Sequence, residues 1–486
     1  MTTKLRPGGA AGPAAASLLA GLAAAVLVAG CASTSGIEPQ AKLRDAASLD
    51  LPRGGAAQER IAADWWRAFG DPQLDRLVAQ ALEGNPSLRI AEARLRRAQA
   101  VTEVANSATL PQVNGSFEGM RQRFNENGLY PPPLAGSIRN TGTLQLGASW
   151  ELDFFGKHRS ALEAALGNAR AAQADAEAAR VLLASNVTRS YFQLLRAEEQ
   201  LGVARRTLAQ REEQVKLVQQ RVSAGLDTQL ELRQSQGAVP EARQQIEALQ
   251  EQAQLARNAL AALVGQPNRA AAPVPAALTA IKVVAVPGNL PADLLGLRAD
   301  VAAARWRVEA AGQDVVNAKT QFYPSVNLTA FVGLNSIGLN RLLEAGSEQW
   351  GVGPAIHLPI FDAGRLRANL RVKTADLDAA VESYNNTVIE AVHDVADQLT
   401  SVQSVARQQA EQRDALAAAE GAYDIALQRY RAGLGNYLNV LAAETAVLNQ
   451  RRLAVDLAAR ALDTRVGLIR ALGGGWAPQD KTLAAR

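Results

Sequence analysis

The segment Arg221-Val222-Ser223-Ala224-Gly225-Leu226 recurs in the second half of the chain as Arg429-Tyr430-Arg431-Ala432-Gly433-Leu434. The segment Leu110-Pro111-Gln112-Val113 recurs in the same way as Tyr323-Pro324-Ser325-Val326. The 486 residues therefore divide into two similar repeats, which we place at 31–275 and 276–486. Elongated repeats of this kind cannot bury their apolar faces alone, which indicates part of an assembly rather than a globular enzyme.

Four segments alternate apolar and polar residues, at about 113–124, 143–155, 325–335 and 350–360. The clearest apolar series is Leu144, Leu146, Ala148, Trp150, Leu152 and Phe154. A tilted membrane strand needs about 9–11 residues with one apolar face, and all four segments meet that requirement. A soluble β-sandwich is the alternative, but four strands would make a poor one.

Four strands are too few to close a transmembrane barrel, since the smallest barrels have about 8 strands. Unpaired strand edges are not tolerated in lipid. We therefore expect the barrel to be shared among subunits, and totals of about 8, 12 or 16 strands all remain open.

The rest of each repeat predicts a long helical hairpin, at about 157–264 in the first and 364–472 in the second. Apolar residues recur at every seventh position, which is typical of coiled-coil packing. In the first long helix this series is Val187, Leu194, Leu201, Leu208, Val215 and Val222. Pro240 predicts a kink in the returning helix, and Gln409 interrupts the series in the second repeat without a reason visible in the sequence.

Residues 1–30 have the pattern of a secretory signal peptide, with Lys4 and Arg6 ahead of an apolar stretch. This stretch ends in Val28-Ala29-Gly30-Cys31, which resembles a bacterial lipobox. The resemblance implies that Cys31 becomes the N-terminus and carries an N-palmitoyl group and an S-diacylglycerol group. Cys31 is the only cysteine, which excludes a disulfide within one subunit. Ala32 follows Cys31, in place of the Asp that typically retains such lipoproteins at the inner membrane. The resemblance therefore implies the outer membrane.

Composition argues against several other functions. The net charge is only +4 and basic residues are scattered among acidic ones, so nucleic acid is not an expected partner. The three histidines, His158, His357 and His393, do not have metal-ligand spacing. Because the chain also has no Gly-rich phosphate loop and no nucleophile elbow, we expect no catalytic residues, no metal and no cofactor.

Motifs spread from about residue 64 to residue 472 resemble the TolC-like outer membrane factors, and within them the NodT-type lipoproteins of resistance-nodulation-division efflux systems. They are Trp65-Trp66-x-x-Phe69-x-Asp71-Pro72-x-Leu74, Asn85-Pro86, Trp150-Glu151-Leu152-Asp153, Leu290-Pro291-Ala292-Asp293-Leu294-Leu295, the two Ala-Gly-Leu turns and Tyr437-Leu438. Each motif alone is weak, but their order and spacing cover nearly the whole mature chain.

The resemblance implies a mainly α protein with membrane β-strands. It implies a homotrimer whose coiled-coil α-barrel is continuous with a twelve-stranded transmembrane barrel in the outer membrane lipid, with four strands from each subunit. An equatorial collar would be formed by about 40–72, 265–298 and 473–486, with Trp65, Trp66 and Phe69 as packing residues. The duct would passively conduct drugs or other toxic solutes outward, with a periplasmic adaptor and an inner-membrane pump as partners.

The resemblance also suggests two functional regions. The tips that contact the adaptor would be the helix turns, Ala224, Gly225 and Leu226 in the first repeat and Ala432, Gly433 and Leu434 in the second. Acidic residues that close the entrance in some family members match Asn439 and Ala442, which are uncharged, so an acidic gate is in doubt. Glu444 is a poorly aligned substitute.

Two other functions stay open on the sequence alone. A type I protein-secretion system uses an exit duct of the same fold, although lipidation and the Asn436-Tyr437-Leu438 stretch favour efflux. A lipid-tethered periplasmic coiled coil is the alternative from another class, and the four alternating segments oppose it.

Overall fold

The computed structural model of the chain describes residues 34–44, 61–266, 277–284 and 298–476. Over these residues the protein consists of long helices and one four-stranded sheet. The helices are α1 (Pro72–Gly84), α2 (Pro86–Ser107), α3 (Lys157–Ser223), α4 (Gln229–Val264), α5 (Ala299–Thr320), α6 (Arg365–Arg431) and α7 (Tyr437–Ala471). The strands are β1 (Gln112–Arg123), β2 (Ile138–Leu152), β3 (Ser325–Ile337) and β4 (Glu348–His357). Cys31 and the preceding signal sequence lie outside the described residues.

The sheet is an antiparallel meander in the order β1-β2-β3-β4. Its central pair joins the two repeats, because β2 and β3 are far apart in sequence and lie side by side, with Trp150 opposite Leu328 and Leu144 opposite Leu334. β1 and β4 are the outer strands. Each repeat thus contributes one hairpin to a single sheet.

The two faces of the sheet differ sharply in polarity, because successive side chains along a strand point to opposite faces. The residues on one face, which we call the apolar face, are mainly Val113, Phe117, Leu144, Leu146, Trp150, Leu328, Val332, Trp350 and Val352. The residues on the other, which we call the polar face, include Asn114, Ser116, Glu118, Thr143, Gln145, Asn335 and Gln349. Many of the apolar side chains are exposed, among them Val113 at 69% and Trp350 at 77%.

The strand bounds differ from the sequence-based ones at their ends. β2 begins at Ile138 rather than near 143, because residues from Ile138 onward continue to pair with β1, with Ile138 opposite Arg123. β4 ends at His357 rather than near 360, two residues before Pro359, which has no backbone N–H to donate. Pro354 lies inside β4, opposite Leu328, and has no backbone N–H to donate.

The chain divides into two compact units, each with parts of the long helices. Of the described residues, 34–42, 96–170 and 306–383 form the strand unit, which holds the sheet. The remaining described residues, 43–44, 61–95, 171–266, 277–284, 298–305 and 384–476, form the helical unit. None of the helices in the described ranges combines the length and apolar character that a membrane-spanning helix requires.

In the helical unit, α3 and α7 pack along a seven-residue series. Val187 and Leu194 are buried at 0% and 1% exposure. Beside this apolar seam, the side chain of Arg189 pairs with Asp463 at 3.1 Å and that of Arg196 pairs with Asp456 at 2.6 Å. The later residue of α3 in these two pairs contacts the earlier residue of α7, so the two helices run antiparallel.

The structure gives a reason for Gln409 and shows how Pro240 is accommodated. The side-chain amide of Gln409 donates to the backbone carbonyl of Leu457 on α7 at 3.3 Å, and Gln412 donates to the carbonyl of Gln450 at 2.7 Å. A polar residue in the apolar series is therefore satisfied by the backbone of the neighbouring helix. Helix α4 continues through Pro240 without ending there.

The Trp65-Trp66-x-x-Phe69 motif builds the largest apolar core of the helical unit. Trp65, Trp66 and Phe69 are all buried, and Phe69 meets Phe192 of α3 edge to face with ring centroids 5.2 Å apart. Asp71 caps α1 by accepting from the backbone N–H of Gln73 at 2.8 Å. This motif is thus a packing and capping element, as the sequence analysis expected of its aromatic residues.

A close helix approach in the strand unit generates a test of the packing. A Cβ at Gly167 of α3 would lie 3.0 Å from the Cβ of Ala310 on α5, whereas a Cβ at Gly312 would meet nothing within 4 Å. We predict that Gly167→Val lowers the free energy of unfolding by about 1–3 kcal/mol through overpacking. Gly312→Ala, the matched control, should leave it unchanged or raise it by up to about 1 kcal/mol. Denaturant unfolding in detergent, followed by the circular dichroism of the helices, measures both. An unchanged midpoint for Gly167→Val would contradict the close approach.

Candidate functional site at the helix turns

The two Ala-Gly-Leu turns have the same backbone structure. After α3, the N–H of Leu226 donates to the carbonyl of Arg221 at 2.8 Å and the N–H of Gly225 donates to that of Val222 at 3.0 Å. After α6, Leu434 and Gly433 repeat these bonds at 2.8 and 3.1 Å, to Arg429 and Tyr430. Both are Schellman caps, which need a left-handed residue at the glycine. The glycines provide it, since φ is +73° at Gly225 and +76° at Gly433.

Each returning helix begins with its own cap. Thr228 forms a capping box with Glu231 at the start of α4. Asn436 caps α7, where its side chain accepts from the backbone N–H of Asn439 at 3.1 Å. The backbone of each turn is therefore fixed by local hydrogen bonds at both ends.

The turns present apolar side chains to the surface. Leu226 is 65% exposed and Leu434 is 69% exposed, and each is followed on the next helix by a second exposed leucine, Leu230 and Leu438. The small residues Ala224 and Ala432 are also exposed. Exposed leucines on a rigid backbone are the features of a docking surface for another protein.

A buried aromatic cluster connects the two hairpins just behind the turns. Val218 of α3 packs with Tyr430 of α6 and with Tyr437 and Val440 of α7, and all four are at most 1% exposed. The two tyrosine rings lie 5.7 Å apart between centroids. Burial raises the pKa of Tyr437 to about 12, so this phenol stays neutral.

A charged group joins the first turn to the second hairpin. The guanidinium of Arg221 pairs with Asp227 at 2.9 Å and stacks over the ring of Tyr430, 4.6 Å from its centroid. The hydroxyl of Tyr430 donates to the same carboxylate of Asp227. The hydrogen bond with Asp227 raises the pKa of Arg221. The two turns are thus tied together by one carboxylate within a single subunit.

The suggested gate positions lie in two different environments. Asn439 and Ala442 are exposed on α7. Glu444 is only 3% exposed, and its carboxylate lies 3.5 Å from the guanidinium of Arg211 on α3. An exposed acidic ring at Glu444 is therefore not supported, because this side chain is enclosed between helices.

The surroundings of Glu444 form a buried polar cluster. Arg211 also donates to the carbonyl of Ala238 at 2.8 Å and to Glu241 of α4 at 3.1 Å. Within the described residues, both carboxylate oxygens of Glu444 have no hydrogen-bond partner. Burial raises the pKa of Glu444, and the attraction of Arg211 opposes this shift. The cluster was not predicted from the sequence, since Arg211 and Glu444 belong to different repeats and no local pattern pairs them.

The described residues provide no metal centre. No group of three or more His, Cys, Asp or Glu side chains in these ranges could hold a metal ion. Nε2 of His158 lies 3.2 Å from the carboxylate of Glu151, and Nδ1 of His393 lies 3.1 Å from that of Asp397.

Comparisons with known proteins agree with this architecture. The family model described as "Outer membrane efflux protein" matches residues 77–266 and 290–474. The fusaric acid resistance protein FusA of Burkholderia cepacia is 42% identical over 367 residues, which are 74% of this chain and 69% of that protein. The toluene efflux pump outer membrane protein TtgF of Pseudomonas putida is 35% identical over 413 residues, 85% of each chain.

The fold of the chain also matches that of a solved outer membrane protein. The outer membrane protein VceC from Vibrio cholerae superposes with a TM-score of 0.81 at 36% identity, over 86% of this chain and 100% of that chain. The family model covers well over half of the sequence, on both repeats. The chain belongs to the outer membrane efflux protein family.

Proposed function

We propose that this protein is the outer membrane channel of a tripartite efflux pump and conducts toxic solutes passively to the cell exterior. The observation that carries the proposal is the sheet, whose strands of 10 to 15 residues have one exposed apolar face and one polar face. Such a sheet suits lipid on one side and a water-filled passage on the other. FusA and TtgF, named for resistance and efflux, favour this function over the exit duct of a type I secretion system.

We infer that three subunits share one twelve-stranded barrel. β1 and β4 each pair on one side only within the described chain, and lipid contains no water to satisfy the remaining backbone groups. Joining β1 of one subunit to β4 of the next removes these edges. The resemblance to the TolC-like proteins selects three copies among the numbers that closure allows.

The turns support docking to a periplasmic adaptor, which would couple the duct to an inner-membrane pump of the resistance-nodulation-division class. The docking surface would consist of the exposed Leu226 and Leu434 with the neighbouring Ala224, Gly225, Ala432 and Gly433. The energy source would lie in the pump, so the duct itself requires no catalytic residue and no cofactor. The link from Arg221 through Asp227 to Tyr430 would hold the two hairpins of a subunit together at the entrance.

We also propose that Cys31 carries the lipid anchor. The chain soon after it lies along the strand unit, where Ile37 packs against Phe322, Leu366 and Leu370. The N–H groups of Gln40 and Ala41 both donate to one oxygen of Asp378 at 2.9 Å. Because this segment is fixed beside the start of α6, an acylated Cys31 would sit at the same end of the helices as the sheet.

Loss of the channel tests the function directly. Deleting the gene should increase the intracellular accumulation of toxic solutes across a panel of drugs and dyes, and a plasmid copy should reverse the increase. Membrane fractionation of the complemented strain provides the control for location. Unchanged accumulation across the panel, with the protein in the soluble periplasmic fraction, would exclude an efflux channel.

The lipid anchor predicts a specific result for Cys31→Ser. This variant should lose incorporation of radioactive palmitate while keeping the fold, since the sheet supplies membrane contact of its own. Its amount in the outer membrane should fall without reaching zero. Palmitate incorporation equal to that of the wild type would show that Cys31 is not the acylated residue.

The turn glycine predicts a defect in docking without a defect in assembly. Gly433→Val places a β-branched residue at φ +76°, a strain of roughly 1–3 kcal/mol. The variant should reach the outer membrane as the same oligomer, yet crosslink poorly to the adaptor and leave cells drug-sensitive. Gly421→Val is the matched control, because Gly421 lies within α6 and a Cβ there meets nothing within 4 Å. Normal resistance and crosslinking in Gly433→Val would limit this turn to chain reversal.

The buried Glu444 predicts a pH dependence of stability. A carboxyl group whose pKa is raised by folding binds a proton in the folded state at pH values where the unfolded chain has released it. The contribution of Glu444 to the free energy of unfolding should therefore increase as the pH falls from 7 toward 4.5, the ordinary pKa of a glutamate side chain. Glu444→Gln should remove this contribution, whereas Glu241→Gln, at an exposed member of the same cluster, should retain it. The measurement is the denaturant midpoint between about pH 4.5 and 7; equal slopes in wild type and Glu444→Gln would contradict it.

A further inference from the structure

The apolar face of the sheet ends at a defined row of residues. β1 and β2 are joined by residues 124–137, and β3 and β4 by residues 338–347, at the end of the sheet away from the long helices. Toward this end the last row with apolar residues on three adjacent strands is Phe117, Leu144 and Leu334, which we call the last apolar row. Glu348 of β4 lies in the same row, opposite Leu334. Beyond this row a single apolar strand residue, Ile138 of β2, lies on the same face opposite Arg123.

The next row has almost no side chains of its own. It contains Gly119 opposite Gly142. The turn between β3 and β4 covers it, because a Cβ at Gly142 would lie 2.7 Å from Cδ2 of Leu339 and 3.5 Å from Cδ2 of Leu342. Leu342 is buried, and Leu343 next to it is 82% exposed. This turn therefore lies on the apolar face and extends it with its own leucines.

Arginines follow directly beyond this apolar surface. Arg121 and Arg123 of β1 are on the same face as Phe117, and Arg121 lies about 13 Å further along the strand, four residues at about 3.3 Å each. Arg341 belongs to the turn that carries Leu339 and Leu342. Within the described part of the chain, the side chains of Arg121 and Arg341 form no hydrogen bond or ion pair. Arg123 pairs with Glu126 at 3.2 Å, but both side chains are more than 65% exposed, and such pairs are weak.

Carboxylates lie at the same end of the sheet. Glu126 pairs with Arg123, Glu344 belongs to the turn that carries Arg341, and Glu348 of β4 lies on the apolar face opposite Leu334. Within the described residues, none of the three forms an ion pair with Arg121 or Arg341. The guanidinium groups of Arg121 and Arg341 are therefore available to a ligand.

We propose that Arg121, Arg123 and Arg341 bind the phosphate groups of a phosphorylated glycolipid in the outer leaflet of the membrane. The proposal rests on the proposed function, which places the helices in the periplasm and this end of the sheet outside. A lipid packed on the apolar face would hold its headgroup just beyond the last apolar row, where the guanidinium groups are. Guanidinium pairs with phosphate through two parallel hydrogen bonds, and exposed arginines are free to do so. Leu339 and Leu343 would contact the acyl chains below.

The test compares two lipids that differ only in phosphate. The full-length protein in detergent is mixed with a diphosphorylated, acylated glucosamine disaccharide or with its dephosphorylated form, and retained lipid is counted by native mass spectrometry. The wild type should prefer the phosphorylated lipid by about tenfold or more, and Arg121→Gln combined with Arg341→Gln should reduce that preference roughly tenfold. Arg139→Gln is the matched control, because Arg139 lies opposite Gln122 at the same end of the sheet but on the polar face.

The outcomes separate this inference from the proposed function. Loss of the preference in the double variant supports the site, provided that the control variant keeps the preference and all proteins contain the same number of subunits. Equal retention of the two lipids by the wild type, or an unchanged preference in the double variant, overturns it. If the protein fractionates with the outer membrane in either case, the proposed function stands on its own evidence. A protein found only in the soluble fraction would remove both.

Discussion

The hydrogen bonds of the strand edges constrain everything else in this protein. β1 and β4 leave one side of their backbone without a partner in the described chain, and a lipid environment offers nothing to replace it, at a cost of several kcal/mol for each group. A single subunit is therefore incomplete as a membrane protein. The open edges of β1 and β4 fit a closed structure that several copies of the subunit build together.

The helices satisfy the same requirement by different means. A coiled-coil hairpin needs neighbours to cover its apolar seam, and small or polar residues on that seam must find partners across the interface. Arg196 with Asp456 and Gln409 with the carbonyl of Leu457 show how polar groups are matched between helices of one subunit. Schellman caps and N-caps fix the backbone of each turn locally, and the contact from Arg221 through Asp227 to Tyr430 joins the two hairpins behind them. The exposed leucines at the turns take no part in these bonds and are available for the proposed contact with a partner.

Local patterns predicted much of the fold, and long-range pairing lay beyond them. The alternation around Trp150, the seven-residue series from Val187 and the Gly residues at the turns each depend on neighbours in sequence, so the sequence alone indicates strand, helix and reversal. The start of β2 depends on pairing with β1, which continues to Ile138, so alternation alone places it too late in the chain. The end of β4 depends on Pro359, which interrupts the strand although the apolar alternation continues past it. The pairing of Arg211 with Glu444 brings the two repeats together, and no local signal identifies it. The family resemblance offers Glu444 as a substitute gate residue, and only the structure shows that it is buried.

The central claim is that the membrane barrel is shared among subunits, and the mass of the detergent-solubilised protein tests it most directly. Light scattering corrected for bound detergent should give three times the mass of the processed chain, and the same preparation should form ion-conducting channels in planar bilayers. A stable monomer that conducts ions would contradict the account, because four strands from one subunit cannot enclose a passage.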